Sequence, residues 1–92
     1  MNNQTENARD RIIQRINSLV AARDSAMEQS QITIKRVQHF VENTPENVII
    51  NPKTFAEMLK SYANDIAGYQ TSIERYDSEI SCMNWSLNQL EI

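Results

Sequence analysis

The chain has 92 residues and a mass of 10.7 kDa, which allows one small domain and no second core. The chain has only one glycine and two prolines, too few for most antiparallel β folds, which need turn residues about every 8–12 positions. One glycine is also too few for a glycine-rich phosphate-binding loop. Its net charge of −3 does not suit a protein that neutralises many phosphates, so nucleic acid is not an expected partner.

Two scarce residue types limit the chemistry. One cysteine cannot form an internal disulfide, and one cysteine with one histidine leaves a single chain short of zinc ligands. We therefore expect no metal, no cofactor and a reducing, cytoplasmic location. Residues 2–7 are polar, and no run approaches the roughly 18 apolar residues that span a bilayer, so neither a cleavable signal nor a membrane segment is predicted.

The prolines divide the chain into two stretches that lack a helix breaker apart from Gly68. We predict a single domain over residues 1–92, with a first helix over about residues 5–43, a connector over 44–53 and a second helix over about 54–90. Asn43 suits a C-terminal cap of the first helix. Two start signals compete for the second helix: Asn51 followed by Pro52, and a capping box that begins at Thr54.

The first predicted helix carries two neighbouring apolar rows with a seven-residue repeat. In heptad notation, the a row contains Ile13, Val20, Met27, Ile34 and Val41. The g row contains Ile12, Leu19, Ala26, Thr33 and Phe40. The d row is mixed and contains Ile16 and Val37 together with Arg9, Arg23 and Ser30. We predict that the a and d rows face the second helix, which would leave Ile12, Leu19 and Phe40 exposed.

Arg23 and Ser30 fall in the middle of this predicted seam. A buried arginine needs a partner, and the candidates are a tyrosine hydroxyl, a ring face, or the carboxylate of Asp24 or Asp77. Polar layers of this kind fix helix register at a cost in stability, which is the role we assign to both residues. A pocket for an anionic ligand at Arg23 is the alternative.

The predicted connector contains the apolar run Val48, Ile49 and Ile50. Such a run can cover the last layer of the core, with Ile50 packing on Phe55, or it can form an exposed binding tip. The sequence favours the cover and leaves both interpretations open.

The second predicted helix has an unbroken coiled-coil pattern. Apolar or aromatic residues recur at alternating gaps of four and three: Phe55, Leu59, Tyr62, Ile66, Tyr69, Ile73, Tyr76, Ile80, Met83, Leu87 and Leu90. This period predicts coiled-coil packing. If the chain folds back so that facing residue numbers add to 96, Val41 faces Phe55. The predicted fold is an all-α, long antiparallel helical hairpin.

The exposed g-row residues of the first helix predict association. Burying Ile12, Leu19 and Phe40 favours a homodimer that forms a four-helix bundle. Trp85 falls in the f row of the second helix, away from the seam, and Ile92 follows one heptad later. We expect both to be protein-interaction residues, because tryptophan often anchors interfaces. Whether Trp85 faces its own oligomer or a different protein stays open.

No nucleophile–base pair, acid–base pair or ligand set is evident, so an enzyme is not expected. The predicted function is a non-enzymatic protein–protein interaction module, such as a small adaptor, chaperone or inhibitor, that acts as a helical homo-oligomer on an unidentified protein partner. One alternative is a self-assembling structural or secretion-type hairpin subunit that uses the small-residue outer face of the second helix. The other is an RNA-binding four-helix dimer that uses Arg11 and Arg15.

Overall fold

A computed structural model describes residues 3–43 and 51–91, which form two α-helices. Helix α1 spans Asn3–Glu42 and helix α2 spans Pro52–Glu91, so both helices are slightly longer than predicted. They lie antiparallel, side by side, in a rod of 74 × 17 × 15 Å. The all-α helical hairpin predicted from the sequence is thereby confirmed. Val48, Ile49, Ile50 and Ile92 lie outside the described residues.

An asparagine lies at the end of α1, Asn43, and another lies at the start of α2, Asn51. The Lys53 backbone N–H donates to Asn51 Oδ1 at 2.9 Å, and the Phe55 N–H donates to the Asn51 carbonyl oxygen at 3.0 Å. Asn51 is therefore the N-cap of α2, and Pro52 occupies the first helical position, where its missing N–H costs nothing. At the end of α1, the backbone N–H and the Nδ2 of Asn43 both donate to the His39 carbonyl oxygen at 2.9 Å.

The seam of α2 is the predicted one. All eleven residues of its a and d rows are half-buried or buried, and Ile80 is the most buried of them. In α1, the seam is formed by the g and d rows instead of the a and d rows. Leu19 and Thr33 of the g row are 2% and 6% exposed, whereas Met27 and Val41 of the a row are 48% and 49% exposed.

The prediction that Ile12, Leu19 and Phe40 remain exposed is therefore wrong. Leu19 is buried by α2, Ile12 is half-buried, and the Phe40 ring packs on Phe55. Both row pairs of α1 have the same alternating gaps, so the period alone cannot choose between them. Side-chain size does choose: the g row mixes large and small residues, which interdigitate better with the bulky seam of α2 than a uniformly large row does.

Two aromatic contacts define the register of the hairpin. The Phe40 ring centroid lies 5.4 Å from that of Phe55 and 6.2 Å from that of Tyr62. These two residues flank Leu59 in the seam of α2, so Phe40 lies opposite Leu59, and their residue numbers add to 99. Leu19 and Ile80, the two buried aliphatic residues in the described part of the chain, give the same total. The predicted total of 96 is wrong by three residues, because α1 is rotated by one row.

A single layer of two helices buries little. Among the described residues only Leu19, Thr33 and Ile80 are buried, and the Thr33 hydroxyl donates to the Gln29 carbonyl oxygen at 2.9 Å. The chain exposes 7167 Å². A compact monomer of this mass is expected to expose about 5,500 Å², so the rod leaves about 1,700 Å² of additional surface exposed.

Candidate interaction surfaces

The a row of α1 forms an apolar surface beside the seam. We call it the α1 stripe, and its residues are Ile13, Val20, Met27, Ile34 and Val41. Met27 and Val41 are about half exposed, and the other three are half-buried. Seven-residue spacing aligns the five side chains along one face over roughly 40 Å, at ~1.5 Å per residue. The hairpin therefore presents an apolar strip that its own second helix covers only in part, and Met27 and Val41 are its most exposed members.

The ion pairs show which side of α2 borders the stripe. Arg15 pairs with Glu79 at 3.1 Å on one side of the seam. Arg23 reaches Asp77 on the other side at 3.0 Å. The stripe lies on the Asp77 side, where the exposed neighbours on α2 include Ala56 and Ala63. The same row continues with Gln70, Asp77 and Asn84, so the side chains that border the stripe are small near Val41 and polar farther along.

Arg23 occupies the polar layer that the sequence predicted, and its partners are the two carboxylates. Besides its contact with Asp77, its Nε and Nη2 each donate to Asp24 Oδ1 at 3.4 Å. The hydrogen bond to Asp77 is the main reason that the pKa of Arg23 is raised, so the guanidinium stays charged. Its side chain is 29% exposed, which makes this layer wet rather than a closed anion pocket. Ser30, the other predicted polar residue, is half-buried in the same seam.

Trp85 lies on the outer face of α2, as its f position predicted, and is 65% exposed. It borders a shallow groove of about 460 Å³ that is otherwise lined by Ser81, Cys82 and Ser86. The Cys82 thiol is free and exposed, and the Ser86 hydroxyl donates to the Cys82 carbonyl oxygen within the helix. Nothing on this face belongs to the α1 stripe, so Trp85 forms a separate surface.

A third surface, which the sequence analysis missed, lies near the connector. We call it the connector-end groove. It has a volume of about 450 Å³ and is lined by Ile32, Lys35, Arg36, His39, Phe40 and Tyr62. Its floor is apolar and its rim is basic. The spacing of Ile32, Arg36 and His39 at three to four residues is a signal that could have indicated a common face on α1.

Of the two arginines that the RNA-binding alternative uses, Arg15 is paired within the hairpin, whereas Arg11 is exposed and takes no part in the ion pairs found among the described residues. Arg15 pairs with Glu79 across the antiparallel hairpin, and both side chains are partly exposed. The tyrosines of α2 that could stack on bases, Tyr62, Tyr69 and Tyr76, are half-buried in the seam. These positions do not form the aromatic platform with a basic groove that is typical of single-stranded RNA binding.

Comparison with protein-family models, with curated proteins and with solved structures finds no significant match to this chain. Over the described ranges, neither helix has an apolar stretch that could cross a membrane. Within the same ranges, no three or more His, Cys, Asp or Glu side chains are grouped so that they could bind a metal ion. Among the described residues, the surfaces that stand out are the α1 stripe, the face around Trp85 and the connector-end groove.

Proposed function

We propose that the chain is a non-enzymatic protein–protein interaction module that acts as a homodimer. The observation that carries the proposal is the α1 stripe, an apolar strip in which Met27 and Val41 remain about half exposed. Contiguous exposed apolar patches on soluble proteins often mark association surfaces. We assign a second copy of the chain to the stripe, which gives a four-helix bundle.

The exposed area supports this occupant. A standard protein interface removes about 800 Å² from each partner. The hairpin has about 1,700 Å² more exposed surface than a compact chain of its mass, which is about twice the area that one such interface would remove from it. A two-fold dimer is the commonest closed assembly, and it needs one surface that is complementary to itself.

The stripe meets that requirement through its symmetry about Met27. In an antiparallel pairing of two α1 helices, Met27 contacts the Met27 of the second copy, and Val20 contacts Ile34. The same pairing separates Asp24 from its counterpart, whereas a parallel pairing would bring the two carboxylates together. Antiparallel pairing is therefore the arrangement that we propose.

The test is the molar mass in solution, measured by light scattering over a wide concentration range. The wild-type chain is expected at twice 10.7 kDa. The double variant Met27→Lys with Val41→Lys should be a monomer with unchanged helical circular dichroism, because both positions are half exposed within the hairpin. The matched control places lysines on the exposed outer row, Gln14→Lys with Ala21→Lys, and should remain a dimer. A monomeric wild type would contradict the proposal, and so would equal loss of the dimer in both double variants.

Cross-linking tests the pairing itself. In a Cys82→Ser background, Met27→Cys should form an intermolecular disulfide under mild oxidation, because the two thiols meet at the symmetry axis. Val20→Cys alone should not, since Val20 faces Ile34 of the second copy. Efficient cross-linking of Val20→Cys would favour parallel pairing instead.

A second candidate function has one observation in its favour. Trp85 is exposed on a face that the stripe does not include, and a molecule with two separate adhesive surfaces can assemble beyond a dimer. This would be the self-assembling hairpin subunit. A molar mass that keeps growing with concentration would support it, and a fixed dimer supports an adaptor, chaperone or inhibitor whose free Trp85 anchors a different protein.

A further inference from the structure

The connector-end groove goes beyond the proposed dimer, because it lies on the other side of the seam from the α1 stripe. Its residues Ile32, Phe40 and Tyr62 are half-buried and form an apolar floor that α1 and α2 build together. The volume of about 450 Å³ falls within the range of about 300–1,000 Å³ that is usual for ligand sites. This floor can accept one bulky apolar side chain.

The rim of the groove is positively charged and lacks acidic partners. Lys35 and Arg36 are exposed, and neither takes part in the ion pairs found among the described residues. No Asp or Glu occurs in the sequence between Glu28 and Glu42. The nearest carboxylate on the adjoining row of α2, Asp65, is exposed and is not paired with either cation. This concentration of positive charge is local, since the whole chain carries −3.

His39 adds a hydrogen-bond donor to the rim. The Nδ2 of Asn43 lies 3.0 Å from Nδ1 of His39 and also donates to the His39 carbonyl oxygen. When Nδ1 accepts this hydrogen bond, Nε2 is the ring nitrogen left to face a ligand. The Nε2–H can then donate to a carboxylate or carbonyl oxygen of a ligand.

We infer that the connector-end groove binds a short acidic segment of another protein, with one bulky apolar side chain on the floor and carboxylates at Lys35 and Arg36. An apolar floor with a charged rim is the anatomy of a peptide-binding groove. Nucleic acid fits less well. The Phe40 ring is already stacked on Phe55, so the rings of the groove left for stacking are those of Tyr62, which is half-buried, and His39, which is a short platform for successive bases.

The test is fluorescence anisotropy with a labelled hexapeptide of sequence Glu-Asp-Leu-Phe-Asp-Glu. We expect it to bind more tightly than the peptide in which lysines replace the four acidic residues, and binding should weaken as salt is raised. Lys35→Glu with Arg36→Glu should weaken binding about tenfold or more, because two charge-assisted hydrogen bonds are lost. Lys60→Glu with Arg75→Glu, on the exposed outer face of α2, changes the net charge equally and should have little effect.

The position of binding is checked by amide chemical shifts. Peptide addition should perturb the amides of residues 32–40 and Tyr62, and the monomeric Met27→Lys with Val41→Lys variant should bind equally well. Equal weakening by both charge-reversal pairs, or shifts centred on Trp85, would overturn the inference. Tighter binding of a short single-stranded oligonucleotide, lost with the same Lys35 and Arg36 changes, would also overturn it in favour of nucleic acid. Loss of the dimer alone would overturn only the proposed function.

Discussion

The Phe40 ring of α1 stacks on the Phe55 ring of α2, with centroids 5.4 Å apart and planes at 25°. This pair joins the last turn of one helix to the first turn of the other. Because Tyr62 also lies 6.2 Å from Phe40, the three rings form a cluster that holds the connector end of the hairpin. The same rotation of α1 that brings Phe40 inward turns Val41 outward and creates the α1 stripe.

Because the g row of α1 packs in the seam in place of the a row, alanine variants in the two rows should differ clearly in stability. Leu19→Ala should lower the free energy of unfolding by about 2–5 kcal/mol, because it empties a buried seam position. Met27→Ala should cost less than about 1 kcal/mol in the isolated hairpin, because that side chain is 48% exposed. Urea unfolding at a concentration where the chain is monomeric checks both values. A larger loss of stability for Met27→Ala than for Leu19→Ala would indicate that the a row, not the g row, packs in the seam.

The polar layer at Arg23 is expected to limit stability rather than increase it. Arg23→Leu should raise the melting temperature, since an apolar side chain would replace a wet, charged one in the seam. Circular dichroism melting measures this change. Asp77→Asn should instead lower the melting temperature slightly, because it removes the nearest partner of the guanidinium. A lower melting temperature for Arg23→Leu would show that the ion pairs stabilise the fold.

The raised pKa of Arg23 determines how this layer responds to alkali. A base with a raised pKa contributes its stability fully below its ordinary pKa and loses it only as the pH rises through the raised value. The contribution of the guanidinium should therefore be constant between pH 7 and pH 10, a range well below the pKa of arginine. Urea midpoints of wild type and Arg23→Leu, compared across that range, should keep a constant difference. A difference that changes with pH would contradict this.

Gly68 is a position where the hairpin should tolerate a larger side chain. A Cβ atom placed there would meet no atom within 4 Å, and the residue lies within the unbroken helix α2. Gly68→Ala should raise the free energy of unfolding by about 1 kcal/mol, because alanine favours the helix. For a domain of this size, that corresponds to about 4–8 °C in melting temperature. If Gly68→Ala lowered the melting temperature only at high protein concentration, another chain would be packing against Gly68.

Trp85 is the sole tryptophan, so its fluorescence reports on the outer face of α2. It is 65% exposed and lies away from the α1 stripe. Quenching by acrylamide should therefore be strong and should not change as the concentration is raised through the monomer–dimer transition. A fall in quenching that follows dimer formation would place Trp85 inside the oligomer. The Met27→Lys with Val41→Lys variant provides the baseline for the monomer.

The sequence was sufficient to predict α2 and the hairpin, and insufficient for α1. In α2, the a and d rows are the only rows that are apolar throughout, so Ile66 and Ile73 were expected to face the seam. In α1, the a and g rows are both apolar, and the d row contains Arg23 and Ser30. The choice between the two rows depends on how side chains of different size fit against α2, and a repeat period contains no information about that fit.

The surfaces also divide into one that the sequence predicted and one that it did not. The outward position of Trp85 followed from its place in the heptad of α2. The connector-end groove could not be predicted, because it forms where Ile32 and Phe40 of one helix meet Tyr62 of the other. That meeting depends on the register, and the predicted register was displaced by three residues. The groove appears only when the rotation of α1 is known.

Because helix α2 is unbroken, it fixes the distance between two partners that bind at different points along it. Tyr62 in the groove and Trp85 on the outer face are separated by 23 residues of uninterrupted helix, or about 35 Å at ~1.5 Å per residue. No hinge interrupts that span. Two proteins bound at these points would therefore be held about 35 Å apart along the helix rather than brought into contact.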